Sequence, residues 1–216
     1  MVQIKKQDIQ KLNELDIEKI TLVKGGYNND KLILKYDNKP MYIKLSKTNS
    51  PFGVSTYKDS KKYSLYVNIE DELKIFLNKL KVKTFSLINS DKGLQKMLKM
   101  RKFNEDIFNN TFNNFYKEPE PEAKYPTLFK LNFINNYDNR EVLDCLLYDK
   151  EKQFVSKQQT PEELKQALGR KTSNTMCVQP FFYQVNKSLG ITFKVKILQM
   201  HSSESFITEE LQELVL

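Results

Sequence analysis

Short runs in which apolar and polar residues alternate dominate the chain. Turn signals bound each run, a pattern expected of strands with one buried face. The stretch "KITLVKGGYNNDKLILKYDNKPMYIKL" holds three such runs. Gly25-Gly26 with Asn28-Asn29-Asp30 separates the first two, and Asp37-Asn38-Lys39-Pro40 the next. In the third run Met41, Ile43 and Leu45 share one face, and Tyr42 and Lys44 the other. A strand over about 63–69 sets Leu65, Val67 and Ile69 against Tyr66 and Asn68, and "PTLFKLNFI" sets Phe129, Leu131 and Phe133 against Lys130 and Asn132. "REVLDCLLYDKEKQFV" predicts a hairpin turning near Asp149–Lys152. "KTSNTMCV" followed by "PFFYQVNKSLGITFKVKILQM" predicts another. In its second strand Ile191, Phe193, Val195 and Ile197 read as buried, which leaves Thr192, Lys194 and Lys196 outward. With Val178 inward, even spacing makes Phe182 core and turns Phe181 and Tyr183 to the face of Lys194 and Lys196.

The period changes to helical in a few places. Leu73, Phe76, Leu77 and Leu80 form an i, i+3, i+4, i+7 stripe behind the acidic Glu70, Asp71 and Glu72, which suit a helix N-terminus. "KGLQKMLKMRKF" reads as a basic helix and "NEDIFNNTFNNFYKEPEPEAKYP" as a surface excursion closed by prolines. "TPEELKQAL" predicts a short helix with Thr160 as N-cap, Pro161 at its first position and Gly169 past its end. The polar stretch Val2–Leu15 reads as a short helix or arm, and no internal repeat is visible. Six to nine short strands with a helix inserted among them predict a mainly β, α+β domain, either a partly open barrel or a sandwich.

Composition narrows the class. At 39% hydrophobic and 29% charged over 216 residues, the chain reads as a soluble globular protein. No run reaches the ~18 apolar residues of a membrane span, and the first residues lack a signal peptide's apolar core, so no membrane partner and a cytosolic or nuclear protein are expected. Cys145 and Cys177 read as reduced, buried thiols. The net charge is +8, but the last sixteen residues carry Glu204, Glu209, Glu210 and Glu213 with no Lys or Arg. Without that −4 tail, residues 1–200 carry +12. A basic body with an acidic tail suits a partner of nucleic acid. Richness in Lys, Asn, Ile, Phe and Tyr, all encoded by A/T-rich codons, offers a plainer account of the charge.

Catalytic signatures are scarce. The sequence has no phosphate-cradling G-x-x-x-x-G-K-[ST] and no G-x-S-x-G, and a single histidine, His201, leaves little room for a Ser-His or Cys-His couple. Asp144, Asp149 and Glu151 in the predicted hairpin, or the Glu72–Lys74 and Glu163–Lys165 triplets, are the only carboxylates worth weighing for metal-dependent hydrolysis. The triplets read as salt-paired helix faces. No enzyme, metal or cofactor is expected.

Binding features are stronger. A single strand of nucleic acid is held by cations along its backbone and by rings on which its bases stack. The polar strand phases offer Lys35, Tyr42, Lys44, Tyr66, Lys130, Phe181, Tyr183, Lys194 and Lys196, and the loop before residue 63 adds Tyr57, Lys58, Lys61 and Lys62. For each lysine alone, simple solvation of a half-exposed sheet is the better account, and for the tyrosines packing at a barrel rim explains the pattern about as well as binding. The recurrence of ring with lysine on separate strands favours binding. Duplex readout is disfavoured, because no helix-turn-helix or zinc finger is visible and only three basic residues are Arg. In the tail, Phe206, Glu209, Glu210 and Glu213 form an amphipathic acidic stretch, capped by Thr208. It reads as a helix packed on the body, a competitor for the basic face or a hook for replication proteins.

"SPFGVSTY", then "YSLYVNI", then "CVQPFFYQVNKSLGITFKVKILQM" resemble the single-stranded-DNA-binding proteins of the nucleocytoplasmic large DNA viruses, with African swine fever virus-like and mimivirus-like members. The late motif, an apolar strand with adjacent aromatics, a turn and G-[IV]-[ST]-aromatic-K-V, stands here as Gly190, Ile191, Thr192, Phe193, Lys194 and Val195. The family often has Trp where this chain has Phe193. The resemblance implies an OB-like partly open antiparallel barrel with inserted and flanking helices. It places a binding domain over 1–200, with an inserted helical and irregular segment at about 70–125, and an acidic amphipathic tail over 201–216. It also implies single-stranded DNA as partner in replication or recombination, in the host-cell cytoplasm or a viral factory, or in the nucleus. A linear-plasmid protein is a related source. An RNA-binding module, and a structural or adaptor protein of a viral assembly or transcription complex, are the alternatives. Self-association is compatible with all of these.

Overall fold

The longest alternating run supplies the spine. A computed structural model of the chain describes residues 4–5, 8–25, 31–56, 62–100, 102–119, 122, 126–136, 138–139, 142–169 and 172–201. In it β12 (Thr172–Val185) pairs antiparallel with β13 (Ser188–Met200) from Asn174 to Val185. Their tight turn holds Asn186 at φ 55°, a left-handed conformation that asparagine tolerates. β5 (Tyr42–Ser50) lies antiparallel to β12, and β1 (Ile9–Lys11) adds in parallel beyond β5. On its other side β13 changes neighbour along its length. β9 (Leu128–Asn132) runs parallel to it at Phe193 and Lys194, and β10 (Leu143–Tyr148) runs parallel to it from Ile197 to Gln199. β7 (Tyr63–Asn68) and β8 (Tyr116–Lys117) pair with β9, β6 (Val54–Thr56) pairs with β7, and β11 (Phe154–Gln159) pairs with β10. β5 and β7 approach each other without a ladder between them, so the ten-stranded sheet curls but stays open.

A second sheet of three strands, β2 (Ile20–Gly25), β3 (Lys31–Tyr36) and β4 (Lys39–Pro40), packs its Ile20, Leu22, Leu32 and Leu34 into the same core. Asp37 and Asn38 join β3 to β4 with φ of 48° and 62°, the paired positive values of a two-residue turn that matches strand twist.

Helices cover the inner face. α1 (Asp71–Ser90) buries Leu73, Phe76, Leu77, Leu80, Thr84 and Ile88. Asp91 caps α2 (Lys92–Met97) by accepting from the Gly93 and Leu94 N–H groups, and Asn104 caps α3 (Glu105–Thr111) by accepting from Ile107. A chain of ring contacts ties this layer to the sheet. Phe85 meets Phe108 at 5.4 Å, Phe108 meets Phe112 at 4.7 Å, and Phe112 meets Phe115 at 5.5 Å. Phe115 then meets Phe193 at 5.9 Å, and Phe193 meets Phe129 at 5.0 Å. The last three contacts are edge-on, the arrangement that aromatic quadrupoles favour. α4 (Pro161–Ala167) follows β11 with the expected Thr160 cap, which Glu163 completes as a capping box.

The expected strand-rich α+β class is what is found, with an open sheet and flanking helices consistent with an OB-like architecture. Thirteen strands form among the described residues instead of six to nine. The surplus comes from pieces such as β1, β4, β6 and β8, too short for alternation to reveal. The sheet is mixed instead of wholly antiparallel, since β1–β5, β9–β13 and β10–β13 are parallel. Val2–Leu15 contributes β1 and a 3₁₀ turn at Leu12–Glu14. None of the described helices is long and apolar enough to cross a membrane.

Cys145 and Cys177 are free and buried, and burial above all pushes each thiol up to about 12 from 9.0. A raised pKa means that the fold favours the neutral thiol. That stabilisation is full below pH 9 and is lost as pH climbs toward 12. Urea denaturation at pH 8 and pH 10 should show stability falling across the interval, and Cys145→Ala should fall less steeply despite a lower starting stability.

Candidate nucleic-acid interface

The face of the large sheet turned away from α1–α3 is built from the polar phases of β7, β9, β12 and β13. Tyr66 stands opposite Lys130, and Phe181 opposite Thr192. The β9–β13 register, with Lys194 beside Asn132, brings Thr192 level with Lys130. One row therefore crosses four strands as Tyr66, Lys130, Thr192 and Phe181, and the next as Ser64, Asn132, Lys194 and Gln179. Three strand spacings put the two rings roughly 14 Å apart. Polar side chains knit the rows together. Asn132 Nδ2 donates to Thr192 Oγ1 at 2.6 Å, and Ser64 Oγ donates to Asn132 Oδ1 at 3.3 Å.

Each ring has a cation against it. Lys194 Nζ lies 4.6 Å from the Phe181 ring centroid and Lys196 Nζ 5.8 Å, while Lys130 Nζ lies 5.9 Å from that of Tyr66. Burial is the main force lowering both Lys194 and Lys196 from their ordinary 10.5. Repulsion from Lys31 adds to it at Lys194, and repulsion from Lys194 adds to it at Lys196. Among the described residues neither ammonium has a carboxylate within ion-pair distance. Asp144 favours the Lys196 charge only at longer range. The ring quadrupoles return part of the lost hydration. An anion on this face would return more.

The hairpin end is organised around a glycine. Tyr183 pairs with Gly190, and a Cβ at Gly190 would stand 2.5 Å from the Tyr183 hydroxyl oxygen and 2.6 Å from Cζ. The ring therefore lies across the glycine, and Asn113 Nδ2 donates to the Tyr183 hydroxyl at 2.8 Å. The Gly190 of the late motif is thus a seat for an aromatic ring from the neighbouring strand.

The structure brings Tyr66, Lys130, Phe181, Tyr183, Lys194 and Lys196 onto one face, as the alternation predicted. Lys62 is exposed one residue before β7, and Lys44 lies on the same side, opposite Cys177. Tyr42 is a correction. It is only 5% exposed, because β1 pairs with β5 at that point and sets Ile9 beside it; burial raises the pKa of its hydroxyl. Ile197 is a second correction. The β12–β13 register slips between Cys177 and Val178, with Val178 opposite Val195 but Cys177 opposite Ile197. The extra residue, Lys196, makes a bulge that turns Ile197 to the outer face beside Cys177 and Lys44. Lys35 belongs to the three-stranded sheet, opposite Thr21 and Pro40, and stays apart from the rows. Lys31, two positions nearer the start of that strand than Ile33, is close enough to repel Lys194 and was not singled out from sequence. Its hairpin docks by tertiary contacts that no local pattern encodes. Tyr57, Lys58 and Lys61, and in the tail Phe206, Glu209, Glu210 and Glu213, lie outside the described residues.

The carboxylates weighed for catalysis have other partners. Asp144 accepts from Asn136 at 2.9 Å and Gln158 at 3.1 Å, and Asp149 accepts from the Gln153 N–H at 2.8 Å in the β10–β11 turn. Glu151 pairs with Lys150. The two triplets lie on α1 and α4, and their members do not pair with each other. Lys74 pairs with Glu118 at 2.6 Å and Glu163 serves the α4 capping box, since positions two apart on a helix do not face each other.

No protein-family model and no curated protein matches the chain in sequence. Among solved structures, it is similar to the single-stranded DNA-binding protein from bacteriophage Enc34, with 12% identity and a TM-score of 0.47, covering 88% of this chain and 94% of that one. The same phage protein in complex with ssDNA gives 11% identity and a TM-score of 0.46, over 84% and 95% of the two chains. The single-stranded DNA binding protein gp2.5 encoded by bacteriophage T7 gives 9% identity and a TM-score of 0.47, over 82% and 96%. Likeness at this level assigns no role to the residues of this chain.

Gly190→Ala should force the Tyr183 ring off its seat and cost about 1–3 kcal/mol in urea unfolding, the usual scale for overpacking. Tyr183→Ala in the same background should relieve the clash. A Gly190→Ala protein as stable as the parent would show that the ring does not lie there.

Proposed function

We propose that the chain is a non-catalytic protein that binds single-stranded DNA across the outer face of its large sheet, with little regard to base sequence. One observation carries this reading. Phe181 shares that face with two half-buried lysines that have no carboxylate partner among the described residues, in line with a second ring and lysine at Tyr66 and Lys130. Rings accept any base by stacking, and ammonium groups displace counterions from phosphates. The late motif's resemblance to the large-DNA-virus proteins supports a role in replication or recombination, in a virus or a linear plasmid. There the protein would coat exposed strands, shield them from nucleases and remove hairpins.

Filter binding to single-stranded DNA, duplex DNA and RNA at low and high salt tests this directly. Preference for single-stranded DNA with steep salt dependence is the expected result, equal or tighter binding of RNA makes the protein an RNA-binding module, and no preference for single strands defeats the proposal. Within the face, Phe181→Ala should weaken binding by about 1–3 kcal/mol with little change in salt slope. Lys194→Ala should reduce the slope of log K against log salt by about 0.7. Lys35→Ala, on the other sheet, should change neither.

Binding should also fade at a lower pH than an ordinary lysine's 10.5 would give, since burial makes Lys194 and Lys196 easier to deprotonate. The Lys194→Ala/Lys196→Ala double variant should lose that early alkaline fall.

A further inference from the structure

Beyond Lys196 the same face runs into a pocket of about 510 Å³, within the range of small-molecule sites. Ile9 and Ile197 line it with apolar surface, Tyr148 adds an aromatic ring, and Lys11, Lys44 and Lys152 stand around it. Its parts come together for identifiable reasons. The bulge at Lys196 turns Ile197 outward into the row of Lys44 and Cys177, and β10 sets Tyr148 beside Gln199 one step further on. Phe154 meets the Tyr148 ring edge-on at 5.8 Å and 70°, which braces it. Lys152 is held in the β10–β11 turn at φ 64°, where its N–H donates to the Asp149 carbonyl at 3.1 Å. Lys11 is already paired with Glu14 at 2.7 Å. Among the described residues Lys44 and Lys152 have no carboxylate within ion-pair distance.

We propose that this pocket takes one further nucleotide of the bound strand, its base against Tyr148 and Ile197 and its phosphate beside Lys44 and Lys152. The inference rests on the function proposed above and extends its footprint. A flat ring with an anion attached is the ligand that suits an apolar, aromatic-sided cavity with two unpaired cations at its edge. Position also fits. From Thr192, opposite Phe181, to Gln199, opposite Tyr148, β13 advances roughly 20 Å, so one strand of a length common for such folds, about 4–16 nucleotides, reaches both. A duplex, with its bases stacked and paired, cannot place one in this pocket without unpairing it.

Fluorescence anisotropy with oligo(dT) of about four and about twelve nucleotides separates the pocket from the rows around Phe181. Tyr148→Ala should lose on the order of 10-fold affinity for the longer strand and none for the shorter, and Tyr148→Phe should keep both. Phe181→Ala should weaken both lengths. If Tyr148→Ala disturbs folding, Lys152→Asn keeps a residue suited to positive φ and should lower the salt slope by about 0.7 for the longer strand alone. Equal losses at both lengths, or none at the longer, would overturn the pocket's role. So would dTMP binding that Tyr148→Ala abolishes while leaving the longer oligonucleotide unaffected, which makes the site one for free nucleotides. Failure of the unaltered protein to bind either length is a different result and removes the parent proposal instead.

Discussion

The pairing of β12 with β13 is the constraint on which the other strands depend. β5 docks on one edge of this hairpin, and β9 and β10 share the other, so every strand of the large sheet is placed by reference to it. Because side chains alternate along a strand, the same two segments deliver Val178, Phe182, Ile191, Phe193 and Val195 to the core while presenting Phe181, Lys194 and Lys196 on the opposite face. Packing of the helices against Phe193 through the ring chain fixes one face and thereby aims the other.

Aiming matters because the outer face is costly for its charges. Lys194 and Lys196 lie close together and are partly removed from water, and the Phe181 ring is their nearest compensation. A surface built only for solubility would let such ammonium groups extend into solvent, where lysine loses least. Here the register holds their stems against neighbouring strands, and the field they project is concentrated over the rings instead of dispersed. Among the described residues, stacking surface and positive potential therefore coincide through lysine and aromatic residues.

Much of this was legible in the sequence where strands were long. The phases of 63–69, 128–133 and 181–196 read correctly because each has at least three alternating pairs, and Thr160 with Pro161 marked α4 because cap chemistry is local. Tyr42 misled because its environment is made by β1, a three-residue strand that joins in parallel from far along the chain. Ile197 misled because a bulge adds one residue without any change in composition. Lys31 went unseen because its nearness to Lys194 arises from one sheet docking on another, a relation to which neither segment's pattern refers.

The bulge at Lys196 has a consequence for how the chain can vary. Since both sides of β13 are in use, its residue count carries meaning apart from its residue types. Removing Lys196 itself would close the bulge and leave Ile197 outside and Leu198 inside, whereas removing Val195 would set Lys196 in the inward place opposite Val178. Substitutions along this strand can be absorbed singly. Insertions, and deletions of any residue but Lys196, cannot, and lineages descended from this chain are expected to keep its spacing from Gly190 to Val195 and from Ile197 to Met200 long after the side chains themselves have drifted.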